Sequence, residues 1–388
     1  MLFRSKPNHP PAGVLGIGTD AFLPPGASPS ESEGFGRPSS SLAKGRVAAA
    51  GFRTAVADTA CLGTFMNVLR SLRGRQDWRG AWYKRGASAL KYIVRSVCMP
   101  VQHGRFLAFV DGNAHMRAYR QRDPRLLERH MHRYVNAEWR RLRRLEALNQ
   151  HYRFALSRLP KALFNSIYAH GHASLGMLVA KDGALLGLCM RPPIFMGCEG
   201  ELCLQLNDVN GHPLYRIVFS VVGERRHRIV IGCLQGPNGD HARDVVRALT
   251  RNLHGMRPKQ LMLSLVYAFA RHYGIEQMVA ISNDAHPLRR AGRPLHSDYD
   301  AFWSEQHGNA IDGGWYALPS SQAHKSEADV PSHHRSAFRR REALRLQAEQ
   351  LLGHALGHFA PGVEEPLVQE QPASYKPLQN FRETSWAS

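Results

Sequence analysis

Two glutamates two residues apart, Glu199 and Glu201 in CEGELCLQL, have the type and spacing for acid–base work. On a strand, alternate residues share a face. Paired carboxylates split their pKa values, so that one can serve as a base. Two charges on an exposed sheet face are the ordinary alternative. In ISNDAHPLRR an apolar run breaks off in Asn283, Asp284 and His286. An imidazole titrates near neutrality and suits general acid or base catalysis, while Asn and Asp also cap loops. In NLHGMRPKQLML a glycine, Gly255, precedes Arg257, Pro258 and Lys259. Pro258 fits the first turn of a helix, whose free N–H groups favour an anion. Cations there oppose the helix dipole, and a bound phosphate would remove that conflict. In LQGPNGD a strand ends in two glycines and a proline, where exposed amides and Gln235 beside Gly236 can meet a ligand. A plain turn is the alternative at both places.

Other chemistries find no support. GxxxxGK[ST], GxSxG and a well-placed GxGxxG are absent. HALGH at 354–358 lacks the glutamate of HExxH, and the six cysteines include no CxxC pair, so no metal is assigned.

The elements that must carry these residues follow from periodicity. Residues 1–58 are rich in Pro, Gly, Ser and Ala and read as a disordered arm. Residues 59–160 read as a helical region. Within it, Asp123-Pro124 opens a long amphipathic helix through LLERHMHRYVNAEWRRLRRLEALNQHYRFAL, with Arg140, Arg141, Arg143 and Arg144 on its outer face. From 161 to 345 the pattern is that of an α/β (α+β) domain. Lys181-Asp182-Gly183 and Asn210-Gly211 mark hairpins in an antiparallel meander. A short helix over about 241–253 is expected, with Asp240 as its cap. LMLSLVYAFARHYG is apolar on most faces and predicts a buried helix, followed by the buried strand IEQMVAISN. Residues 346–388 complete a basic terminal helix that begins near 332, and then a disordered tail.

The chain has 388 residues, 43% of them apolar, and a net charge of +20. A core can form, and the charge attracts anionic ligands, anionic lipid or nucleic acid. No recognition helix or RNA-binding signature accompanies it. No secretory h-region or membrane span is present, so a cytoplasmic protein, peripheral at most to the inner membrane, is expected.

IGCLQGPNGDHARDVVRALTRNLHGMRPKQL, AISNDAHPLR, SDYDAFW and SHHRSAFRRR, with CEGEL and HY at 151–152, occur in an order that resembles the VirK/YbjX family of bacterial proteins. The resemblance spans about 60–345, with Cys198 where an arginine is expected. It implies a role in envelope stress, virulence or resistance to cationic antimicrobial peptides, and attaches no reaction. At the level of fold, the meander, buried helix and strand resemble GNAT acyltransferases, so an N-terminal helical region followed by a GNAT-like mixed sheet is expected. That likeness implies coenzyme A or an acyl-CoA as donor, its pyrophosphate held at NLHGMRPKQLML by Gly255, Arg257 and Lys259, with Gln235, Gly236 and Asn283 nearby. Glu201 or His286 would deprotonate an amine or hydroxyl, and Tyr299 would protonate the departing thiolate. Arg257 stands where GNAT proteins carry a small residue, and the helix at 241–253 is extra. The competing expectation is a non-enzymatic basic protein whose helices at 123–158 and 332–356 bind anionic lipid or another polyanion.

Overall fold

The computed structural model describes residues 66–193, 198–239, 241–292, 295, 297–323 and 325–358. The arm at 1–58, the expected Asp240 cap and the tail beyond 358 lie outside the described residues. After a helical stretch over 66–71, helices α1 (Trp82–Val97), α2 (Pro100–Gly112) and α3 (Ala114–Arg122) follow. Pro100 occupies the first turn of α2, and Asn113 caps α3 by accepting the N–H groups of His115 and Met116 at 3.0 and 3.2 Å.

The long helix expected after Asp123 is instead two elements. Asp123 does cap its start, accepting Arg125 N–H at 3.1 Å. The stretch it opens, Pro124–Met131, is 3-10 helix. Val135 then adopts φ 51° and donates its N–H to the Cys198 carbonyl at 2.6 Å. Helix α4 starts afresh at Arg141 and runs to Arg158. The helical spacing deceives because Leu127, Met131 and Val135 before the break and Leu145, Leu148 and Tyr152 after it all enter one core. Arg129 and His130 are buried too, so no continuous polar face exists for a single helix.

A short helix α5 (Lys161–Phe164) and a π-helical turn (Asn165–His170) lead into the sheet. Its strands are β1 (Ala173–Val179), β2 (Leu185–Arg191), β3 (Leu202–Asn207), β4 (Pro213–Val222), β5 (Arg228–Gln235), β6 (Gln277–Ile281), β7 (Asn309–Ile311) and β8 (Trp315–Leu318). The spatial order is β1-β2-β3-β4-β5-β6-β8-β7. The expected meander is β1 to β5, antiparallel throughout. β5 and β6 pair in parallel. A parallel pair needs a crossover, and α6 (Ala242–Asn252) with α7 (Pro258–His272) supplies it.

Helix α7 is the buried helix: every residue from Leu261 to Ala270 is buried. It packs on β3, β4 and β5 and against the terminal helix α9 (Arg335–His358). Leu202, Leu204, Ile217, Phe219 and Ile231 face it across the sheet, and Phe106, Leu148 and Tyr152 of the helical segment join the same core. Each such side chain contributes about 1.5–3 kcal/mol by leaving water. Helix α9 turns Leu344, Ala348 and Leu352 inward, so the basic terminal helix is a packed element. The opposite sheet face carries Cys203, Val218 and Cys233, a small cluster of its own.

Candidate functional site

The parallel register of β5 and β6 runs from Arg228↔Gln277 to Ile231↔Ala280 and then stops, although β5 continues to Gln235. Gly232 is the extra residue of a bulge, since Ile231 faces Phe219 while Cys233 faces Val218. A Cβ at Gly232 would collide with the Glu199 carbonyl, so only glycine lets the 198–200 segment lie against β5. Past the bulge the two strands part, and Tyr299, the first residue of helix α8 (Tyr299–Glu305), fills the gap. Its hydroxyl accepts the Leu234 N–H at 3.2 Å and donates toward Cys233 Sγ at 3.8 Å. Asn283 fixes this helix start: its side chain accepts Tyr299 N–H at 2.9 Å and donates to Asp298 Oδ1 at 2.9 Å.

A cavity of about 430 Å³ opens beside this gap. Glu199, Cys233, His286 and Tyr299 line it, together with Gln235 and Gly236 from the end of β5. Arg243 and Arg247 of α6 and Lys259 of α7 also line it. This is the carboxyl end of a parallel strand pair, where open α/β sheets bind ligands.

Burial sets the protonation of four groups that line the cavity. His286 is inaccessible, stacks on Tyr299 with ring centroids 5.3 Å apart, and is held down to about pKa 4 by burial. Its Nδ1 accepts the Leu288 N–H at 3.2 Å, which places the neutral ring's proton on Nε2. That nitrogen lies 3.7 Å from Glu199 Oε1, and the Gly232 carbonyl also acts on the ring, favouring its protonated form. The Glu199 carboxyl is raised by burial, against the Cys233 thiol and Arg216, which favour its charged form. Burial also raises the Cys233 thiol and the Tyr299 phenol well above their ordinary values, so both keep their protons.

Of the residues read from the sequence, His286, Tyr299, Gln235, Gly236 and Lys259 meet at this cavity, and four do not line it. Glu201 is inaccessible and bound by Arg129 and the Tyr152 hydroxyl, in a cluster where Arg129 also holds Asp123 at 2.6 Å and Tyr119 OH at 2.5 Å. The two-residue spacing fails to put it beside Glu199 because Gly200, at φ 145°, breaks the strand alternation between them. Gly255, at φ 84°, closes the end of α6, its N–H donating to the Thr250 carbonyl at 2.8 Å, and a Cβ there would touch nothing. It serves a turn. Asn283 acts behind the wall, through Tyr299. Arg257 is the N-cap of α7, and its conflict with the helix dipole is relieved by Glu305 at 2.6 Å. It lines a neighbouring hollow of about 650 Å³ with Arg247, Arg251, Lys259 and Phe302.

Glu199, half of the carboxylate pair in the sequence, lines the cavity in place of Glu201. Cys233, Tyr215, Arg243 and Arg247 also line it, and no spacing or motif singles them out. The signal for Glu199 was the glycine after it. Cys233 lacked one, because a bulge at Gly232 decides which way it faces. Gly236 is needed for packing, since a Cβ there would run into the Tyr215 ring.

Among the described residues no helix is long and apolar enough to cross a membrane, and no group of His, Cys, Asp and Glu could hold a metal ion. Residues 81–352 match the family described as "Protein of unknown function (DUF535)". The chain is similar to "Uncharacterized protein YbjX" of Escherichia coli (strain K12), 28% identical over 283 residues, which cover 71% of this chain and 86% of that protein. It is similar to an uncharacterized protein of Haemophilus influenzae, 26% identical over 214 residues, covering 54% and 71%. "Membrane protein LapB" of Mannheimia haemolytica is 23% identical over 154 residues, covering 39% and 63%.

Proposed function

The chain belongs to the DUF535 family, in keeping with its VirK/YbjX resemblance, and we propose that it transfers an acyl group from a phosphorylated donor of the acyl-CoA type to an amine or hydroxyl. One observation carries this reading: a single cavity joins three cations, Arg243, Arg247 and Lys259, to an inner carboxylate and imidazole, Glu199 and His286. Cations in such a setting bind phosphate through charge-assisted hydrogen bonds. Burial, with Arg257 nearby, lowers the Lys259 ammonium, and a bound phosphate would favour its charged form.

The donor supplies an activated carbonyl. Glu199 takes the base role expected of Glu201 because it lines the cavity and Glu201 does not; burial raises both carboxyls. It would accept the proton that the incoming amine or hydroxyl loses. His286 is then no base: its Nε2 carries a proton and orients the Glu199 carboxylate or the incoming group. Tyr299, with a raised pKa, acts as a hydrogen-bond donor to the leaving sulfur rather than as a strong acid.

The setting implied by the family, envelope stress, virulence or resistance to antimicrobial peptides, belongs to the same proposal, and a relative named as a membrane protein fits it. The competing reading, polyanion binding by the helices at 123–158 and 332–356, loses ground. The first is not one helix, and on the second Arg339 pairs with Glu327 at 2.6 Å and Arg345 with Glu349 at 2.5 Å.

Calorimetric titration of the full chain with coenzyme A and acetyl-CoA, at low and high salt, tests this. Saturable one-site binding, tighter than that of inorganic pyrophosphate and weakened about tenfold by Lys259→Ala, is expected for one lost charge-assisted contact. No binding, or binding that pyrophosphate equals and salt abolishes, would overturn it.

A further inference from the structure

Helix α1 is held to the protein by one side only. Tyr92 and Ser96 are its buried residues, and the Tyr92 hydroxyl is pinned between Ser71 Oγ at 2.6 Å and His103 Nε2 at 2.9 Å. At about 100° per residue, Tyr83, Leu90, Val94 and Val97 fall within one narrow arc on the side opposite Tyr92. All four are exposed, Leu90 to 62% and Val97 to 66%, and Trp82 at the head of the helix is 84% exposed. An apolar stripe aimed straight at water is unusual on a protein that stays free in solution.

The charge around the stripe has one sign. Helix α1 contains Lys84, Arg85, Lys91 and Arg95 and no acidic residue. Between residues 66 and 105 there are nine lysines and arginines and one carboxylate, Asp77. Asp77 is itself bound to Arg75 at 2.7 Å. On the helix, Lys84 and Lys91 flank the stripe, and their long stems can lie along an apolar surface while the ammonium groups reach outward. The aromatic pair Trp82 and Tyr83 at one end suits the boundary between headgroups and acyl chains.

We propose that α1 docks this protein onto an anionic lipid bilayer, with Tyr83, Leu90, Val94 and Val97 entering the interface and Lys84 and Lys91 meeting the lipid phosphates. The combination of an apolar face, a cationic flank and no acidic group is that of a helix lying in the membrane plane. A second copy of the chain is a poor occupant, since pairing two such helices would bring eight cations together without a counter-charge. This surface differs from the helices first suspected of lipid binding, and it does not depend on the cavity being an acyl-transfer site.

Co-sedimentation of the full chain with lipid vesicles tests the proposal, comparing phosphatidylcholine alone with phosphatidylcholine containing phosphatidylglycerol. Binding to the phosphatidylglycerol vesicles, weakened by salt, is expected. Leu90→Ser/Val94→Ser and Lys84→Gln/Lys91→Gln should each reduce partitioning by about tenfold or more. Both pairs lie on the surface, so the thermal midpoint should match the parent's. Three results would each overturn the proposal: no binding to the anionic vesicles, binding that neither pair of substitutions reduces, or a parent dimer that Leu90→Ser/Val94→Ser converts to monomer.

Discussion

Glu199 and Glu201 stand two residues apart, Glu201 fully buried and Glu199 partly open to the cavity, in surroundings that differ in what answers the charge. Glu201 has an arginine and a tyrosine on one oxygen, and its neighbours form a closed polar cluster within the core. Glu199 has a neutral imidazole 3.7 Å away, the Cys233 thiol, Arg216 acting from outside ion-pair distance, and open cavity. A buried ion is tolerable when it is paired and hydrogen-bonded. Glu201 meets that condition at one oxygen, through Arg129 and Tyr152, although Oε1 has no partner among the described residues and burial still raises the carboxyl to about 7. Glu199 has no ion pair of its own with a charged group among the described residues, and it faces the cavity. The difference separates a structural carboxylate from a chemically available one more sharply than spacing does.

The largest effect is expected from Arg129→Met, which leaves Glu201 without its cation. Breaking a buried pair from one side costs about 3–5 kcal/mol, and urea unfolding should show it. Glu199→Gln should instead leave stability within about 1 kcal/mol of the parent. In that variant, release of coenzyme A thiol from acetyl-CoA should fall about 10²–10⁴-fold, the usual worth of a general base. If Arg129→Met unfolds like the parent, the cluster around Glu201 is not what holds this region.

Acid should act on both regions. Burial holds His151, beside the Glu201 cluster, at about 3, and His103 and His286 at about 4, against an ordinary 6.5. These rings stay neutral in the folded chain, while the unfolded chain takes up protons below 6.5. Their contribution is therefore whole above 6.5 and declines as the pH falls toward 4. Each histidine adds up to about 1.4 kcal/mol of loss per pH unit in that window. Urea midpoints measured across it should fall steadily, and His286→Asn in the cavity should remove only one histidine's share of the slope. A flat profile would mean that these rings are not buried as neutral groups.

The smallest effect belongs to Gly255→Ala. The left-handed backbone makes alanine cost about 1 kcal/mol, while coenzyme A affinity should be unchanged because Gly255 does not line the cavity. A large loss of affinity would return Gly255 to the site.

Much of this architecture was legible in the residues. Lys181-Asp182-Gly183 and Asn210-Gly211 mark hairpins that exist, and the apolar run after Pro258 is the buried helix. Those signals are local. The break at Val135 was hidden because the apolar residues on both sides share a core, so periodicity survived a change of direction. The cavity was legible in part. His286, Gln235 and Lys259 stood out as strand-end or helix-start groups, while Tyr299 entered only through the fold-level likeness. The assignment of the base turned on the backbone at Gly200, and the orientation of Cys233 on the bulge at Gly232. Both depend on how one strand meets another, which no single stretch of sequence encodes. The outward stripe of α1 was hidden for a similar reason: an amphipathic pattern does not say which face is covered.

The central claim is that these two carboxylates hold different positions in the energetics of one molecule. Urea unfolding of Glu199→Gln and Glu201→Gln, side by side near neutral pH, tests it most directly. Glu201→Gln is expected to be the less stable by about 2 kcal/mol or more, because it leaves the buried Arg129 without its inner carboxylate. Equal stabilities, or a Glu199→Gln protein that is the weaker of the two, would contradict it.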